Sequence, residues 1–139
     1  MSRSERLIDL LKLREAMRAR RQARAVGELS SEIDRSKTIQ EKLLGLIKAN
    51  TPLDEPMTSF ELRSRAWYGR QMQEQHSLLE NRSSFLEMEI MQARKVLMRH
   101  KNRESILEER RIAVKQAEAE DREALAERQM PPSGTRHQR

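Results

Sequence analysis

Residues 71–114 read QMQEQHSLLENRSSFLEMEIMQARKVLMRHKNRESILEERRIAV, and this stretch decides the fold. Counting through it in sevens gives positions that are apolar or alanine except for one histidine: Met72, Leu79, Leu86, Ala93, His100, Leu107 and Val114. Ile90 and Leu97 fall on the interleaved positions, four residues further on. A repeat sustained over about six heptads is typical of a coiled-coil helix. Because a long supercoiled helix has no concave pocket, function is expected on its surface and at its ends, and not in catalysis.

The composition also favours long helices over a globular core. Of 139 residues, 36% are charged and 36% hydrophobic, with only four glycines and four prolines. Aromatic residues, at 3%, are too few for a thick core, and the absence of cysteine excludes disulfides and thiolate metal sites. The sequence shows no apolar run of membrane-spanning length and no secretory signal pattern, so a cytoplasmic protein is expected.

The sequence predicts an all-α fold in which two long helices form an antiparallel coiled-coil hairpin. Pro52 and Pro56 cannot continue a helix, and a short connection between amphipathic helices favours antiparallel neighbours. One domain is expected over residues 1–130, with the second helix longer and overhanging the first. The expected elements are a helix at about 4–49, a loop at about 50–57, a helix at about 58–129 and a disordered tail at 131–139.

Local signals mark the helix ends. Ser2 with Glu5, and Thr58 with Glu61, match the Ser/Thr-x-x-Glu capping box that begins a helix. Asn50 suits a residue in the left-handed conformation at the end of the first helix. Both starts and one end are therefore predicted from the sequence.

The first helix is expected to carry its own seam, with a stammer where three-residue steps join Ala23, Val26 and Leu29. A turn near Asp54 pairs residue i with about residue 108 − i, so the N-terminus of the first helix is expected opposite about Glu104. The overhang then comprises residues 108–129. The expected seam residues are Leu10, Leu13, Ala16, Ala19, Ala23, Val26, Leu29, Ile33, Ser36, Gln40, Leu43 and Ile47.

Polar residues on the seams are interpreted as positions that fix register at some cost in stability. The three histidines are too far apart in the sequence for a ligand cluster. Catalytic motifs are missing as well, so no catalytic residue, metal site or cofactor is predicted. The polar seam positions are Ser36, Gln40, His76, Ser83, His100 and Glu104.

Arginine and lysine concentrate in two segments, residues 12–24 and 94–103, in a chain whose net charge is +6. They form either a solvated charged face or a surface for an acidic protein patch or a phosphate backbone. Aromatic residues do not interleave with these basic residues, so nucleic acid is the least favoured partner.

Phe60 and Trp67, seven residues apart, fall on the outward-facing position of the second helix, with Tyr68 on its flank. Large apolar groups exposed together mark an interaction surface, and Trp and Tyr are favoured binding anchors. The alternative is that Phe60 packs over the loop. A second outward pair, Leu78 and Phe85, leaves room for a third helix from a partner or a second copy.

The pattern of two helices, a proline hinge before the middle and a longer second helix resembles the FliJ family. These are small coiled-coil proteins of the flagellar type III export apparatus. The local similarities lie in the second helix: residues 65–72 (RAWYGRQM) after the hinge, the basic segment 93–97 (ARKVL), 101–107 (KNRESIL) and the acidic stretch 118–127.

The resemblance implies a non-enzymatic coupling component without a small-molecule substrate. Its partners would be the export ATPase ring, the export gate membrane protein and export chaperones. It would act in the cytoplasm, at the cytoplasmic face of the inner membrane, and meet the membrane through partners only. The implied ATPase-binding residues are Arg14, Arg18, Arg21, Arg99 and Arg103. The implied gate- or chaperone-binding residues are Phe60, Trp67, Tyr68 and Met72. A general scaffold or self-associating adaptor in another assembly is the alternative.

Overall fold

A computed structural model describes residues 2–50 and 56–130. Helix α1 spans Arg3–Ala49 and helix α2 spans Ser59–Gln129. The two helices pack together as a hairpin, and the described residues contain no strand, which confirms the predicted fold class. The predicted tail and most of the predicted loop lie outside the described residues.

Capping side chains explain where both helices begin. The Ser2 hydroxyl accepts a hydrogen bond from the Glu5 backbone N–H at 3.1 Å. Thr58 and Glu61 form both bonds of a capping box, because each side chain accepts from the other residue's backbone N–H, at 3.2 and 3.4 Å. The predicted helix starts are therefore confirmed.

The prediction for the end of α1 is wrong in its mechanism. No described non-glycine residue has a positive φ, so Asn50 does not adopt the left-handed conformation. Instead its side-chain amide donates a hydrogen bond to the Arg65 carbonyl oxygen at 2.8 Å. Gly69 makes room for this amide, because a Cβ there would lie 3.2 Å from the Asn50 Nδ2.

The chain divides into two compact units. The central unit, residues 21–97, holds a small apolar core in which Ile33, Leu86 and Ile90 are buried. Val26 and Leu29 pack against this core from α1. The heptad positions of α2 thus face α1, as the sequence predicts.

Polar side chains in the central unit bond across the seam. The Ser36 and Ser83 hydroxyls lie 2.8 Å apart, and the Gln40 amide donates to Ser83 at 2.6 Å and to the Leu79 carbonyl at 3.1 Å. These bonds satisfy groups that would otherwise be buried without partners. They also correct the predicted register, because a turn near Asp54 would place Ser36 opposite about Met72. The residue numbers of the bonded pairs Ser36–Ser83 and Gln40–Leu79 sum to 119 instead of 108, so the midpoint of the pairing lies near residue 60 and not near Asp54.

The terminal unit combines residues 1–20 and 98–139, of which 2–20 and 98–130 are described. Asp9 forms an ion pair with Arg111, in which the Arg111 Nε lies 2.7 Å from the Asp9 Oδ1, and Lys12 forms an ion pair with Glu108. The prediction that the N-terminus of α1 lies opposite about Glu104 is therefore wrong. The part of α2 that extends past α1 begins later than residue 108.

The predicted stammer is also wrong. The less exposed positions of α1 alternate in steps of three and four along the helix, which is unbroken heptad spacing. Leu10 and Leu13, expected in the seam, are 65% and 58% exposed, and Ala23 is exposed as well. The seam passes through polar residues instead, and an apolar sequence pattern does not mark these positions. It comprises Glu5, Ile8, Lys12, Glu15, Ala19, Gln22, Val26, Leu29, Ile33, Ser36, Gln40, Leu43 and Ile47.

Candidate partner-binding surfaces

The first candidate site is the aromatic surface, formed by Phe60, Trp67 and Tyr68 in the first turns of α2. The three side chains are 77%, 52% and 58% exposed. The Trp67 and Tyr68 rings meet edge to face, with centroids 5.1 Å apart, which is a preferred aromatic geometry. Phe60 is thus largely exposed, and the alternative in which it packs over the loop concerns residues that lie outside the described ones.

Arginines surround the aromatic surface. Arg63 and Arg70 line the same shallow recess as Phe60, Trp67 and Tyr68. Met72, which the sequence groups with these aromatics, lies on the seam and is half-buried. The aromatic surface therefore combines large apolar rings with positive charge.

The second candidate site is the arginine cluster of the terminal unit. Arg14 and Arg103 line one recess together with Leu11, Ile106 and Leu107. Arg99 is also exposed in this unit, whereas Arg21 is an exposed residue of the central unit. Arg110 lines the same recess and was missed, because its position depends on the register.

A buried acid lies beneath these arginines. Glu15 is only 3% exposed, and its carboxylate lies 2.7 Å from the His100 Nδ1. Arg18 approaches the same carboxylate at 3.4 Å and Arg14 at 3.9 Å. His100 was predicted as a polar seam residue, but its partner was not. Counting the α1 heptads through polar residues would have found Glu15.

Electrostatics favour the ionised form of Glu15. The hydrogen bond with His100 holds the pKa of the Glu15 carboxyl below its ordinary value, although burial acts to raise it. The charges of His100, Arg18 and Arg103 lower this pKa further. A hydrogen bond from Lys12 likewise lowers the pKa of Glu108. The surroundings in the terminal unit therefore favour the ionised forms of Glu15 and Glu108.

Neither a metal-binding group nor a membrane-spanning helix is formed by the described residues. No group of three or more histidine and carboxylate side chains among residues 2–50 and 56–130 is arranged to hold a metal ion. Neither described helix is long and apolar enough to cross a membrane. Protein-family models, curated proteins and solved structures give no match to this chain.

Proposed function

We propose that this chain is a non-enzymatic coiled-coil coupling component of the flagellar type III protein export apparatus. In this role it bridges the export ATPase ring and the export gate or its chaperones, at the cytoplasmic face of the inner membrane. The similarities at residues 65–72, 93–97 and 101–107 to the FliJ family support the choice of assembly. The helical hairpin with a longer second helix is compatible with it.

The observation that carries a binding role is the exposure of the aromatic surface. A two-helix hairpin buries side chains along a single seam, and Phe60, Trp67 and Tyr68 lie outside it. Contiguous exposed apolar groups mark interaction sites. We assign this surface to the export gate or a chaperone. The contacting partner should present apolar side chains with carboxylates near Arg63 and Arg70.

The arginine cluster is assigned to the ATPase ring. The contact would be electrostatic, with guanidinium groups meeting carboxylates of the ring. Coupling would arise because the hairpin binds one state of a ring subunit more tightly than another and so shifts its population.

A charge-reversal experiment tests the ATPase contact. With the cognate export ATPase, the native chain is expected to raise ATP hydrolysis, and R99E/R110E, which reverses two exposed arginines of the terminal unit, is expected to return the rate to that of the ATPase alone. Neither Arg99 nor Arg110 forms an ion pair with buried Glu15, whereas Arg18 does. Reversing Arg18 would therefore disturb the seam as well as the surface.

The matched control is R63E/R70E, which changes the net charge by the same amount beside the aromatic surface. It is expected to keep the stimulation. Equal losses in both double variants would indicate a response to net charge alone, and a native chain without effect would contradict the coupling role.

A self-associating adaptor is the second candidate function. It is favoured by an apolar stripe on the outward side of α2, where Leu78, Phe85, Met88 and Met91 are 60–71% exposed. Sedimentation distinguishes the two candidates, since a stable dimer that F85S dissociates would support the adaptor. A monomer would leave the coupling proposal in place.

A further inference from the structure

The outward side of α1 between Arg3 and Arg18 carries a second apolar stripe. Leu7, Leu10, Leu13 and Met17 are 59%, 65%, 58% and 48% exposed. Their spacings of three, three and four residues place them along one side of the helix. None of the four occupies the α1 seam, so the hairpin itself leaves the stripe uncovered.

Exposed arginines border this stripe, and the acidic residues of the same segment lie on the opposite, inward side of α1. Arg3, Arg6, Arg14 and Arg18 are all exposed. The carboxylates of the same segment lie on the inward side of α1: Asp9 pairs with Arg111, Glu15 with His100, and Glu5 lines a recess with Lys115. The outward side therefore presents leucine, methionine and arginine without a competing negative charge.

We propose that this surface, the N-terminal stripe, binds the surface of an anionic lipid bilayer. A helix with an apolar stripe between basic residues lies in the membrane interface, where its apolar side chains enter the acyl boundary. Arginine stems extend along the apolar surface while their guanidinium groups reach lipid phosphates. Interfacial binding needs no spanning helix, so it agrees with the absence of one from the described residues.

A bilayer suits the N-terminal stripe better than an acidic protein. The stripe lies on the convex side of a single helix, and its large side chains are of only two kinds, aliphatic and cationic. A bilayer offers a matching partner for each kind, because its acyl chains can contact the aliphatic side chains and its phosphates can bind the arginines. This arrangement continues over the whole membrane surface. This proposal departs from our expectation that the chain meets membranes through partners only, and it does not depend on the export function.

Tryptophan emission tests whether the stripe enters the bilayer. In the full chain with W67F removing the single native tryptophan, L10W serves as the reporter. Its emission is expected to shift to shorter wavelength with phosphatidylglycerol-containing vesicles and to be quenched by brominated lipids. Pure phosphatidylcholine vesicles should cause no shift. L125W in the same background is the matched control, since Leu125 is 54% exposed on α2 between acidic residues and outside both apolar stripes, and it should stay in water.

A second variant separates insertion from simple attraction of a basic protein. L10S/L13S keeps every charge and is expected to weaken vesicle binding at least about tenfold, because the apolar contribution is lost. Circular dichroism checks that the variant stays helical. Vesicle binding with the L10W reporter still in water would overturn the proposal. A reporter shift with the purified ATPase but not with anionic vesicles would assign the stripe to a protein and also overturn it.

Discussion

L86A is expected to lower the free energy of unfolding by about 3 kcal/mol, the largest loss expected from truncating a single apolar side chain among residues 2–50 and 56–130. Leu86 is 5% exposed and packs against Ile33 and Ile90 in the central unit. Its removal takes apolar area from water and leaves a cavity in a core that has few other buried residues. Urea denaturation followed by far-ultraviolet circular dichroism measures the change.

L78A is the matched control for this truncation. It removes the same atoms from the same helix, but Leu78 is 60% exposed. The expected change is within about 0.5 kcal/mol of zero. Similar losses for L78A and L86A would mean that Leu78 is also buried, by self-association or by a different seam.

H100L is expected to cost about 3 kcal/mol, because it strands the buried Glu15 carboxylate without its hydrogen-bonding partner. The pair is enclosed in the seam, and Arg18 compensates only in part from 3.4 Å. The double variant E15L/H100L replaces both polar groups with apolar ones. Such a replacement is often neutral or stabilising, so the double variant should regain the native free energy of unfolding or exceed it.

The pH dependence of unfolding gives this pair a second readout. Glu15 has a pKa below its ordinary value of 4.5, so the folded chain holds its proton less tightly than the unfolded chain. Its stabilising contribution is therefore complete above that value and is lost as pH falls through the lowered pKa. E15L/H100L should show a shallower acid loss, with Glu108 contributing part of the slope that remains. An unchanged acid profile would contradict the assignment to Glu15.

The sequence was sufficient for the fold class, the helix starts and the α2 seam. Each rests on a local rule, such as the seven-residue spacing from Met72 to Val114 or the Thr58–Glu61 capping box. The exposed aromatics were also predictable, since Phe60 and Trp67 lie seven residues apart on a non-seam position. These features need only the residues of one helix.

The pairing of the two helices was not predictable in the same way. The N-terminal half of α1 offers Leu10 and Leu13 as apolar candidates, yet the seam uses Lys12, Glu15 and Gln22. Those polar residues form hydrogen bonds or ion pairs with residues of α2. The sequence of α1 alone does not indicate which α2 residues these are. The turn was inferred from two prolines, which mark a break without fixing the register. The identity of a binding partner depends on a second molecule and stays a proposal.

Disulfide trapping tests the register on which the seam and the arginine cluster depend. The chain has no cysteine, so an introduced pair reacts only with itself. The Ser36 and Ser83 hydroxyls lie 2.8 Å apart, close enough for a disulfide after a small adjustment. S36C/S83C is expected to form an intramolecular disulfide rapidly under mild oxidation, and S36C/M72C to remain reduced. Trapping of S36C/M72C in preference to S36C/S83C would contradict the account.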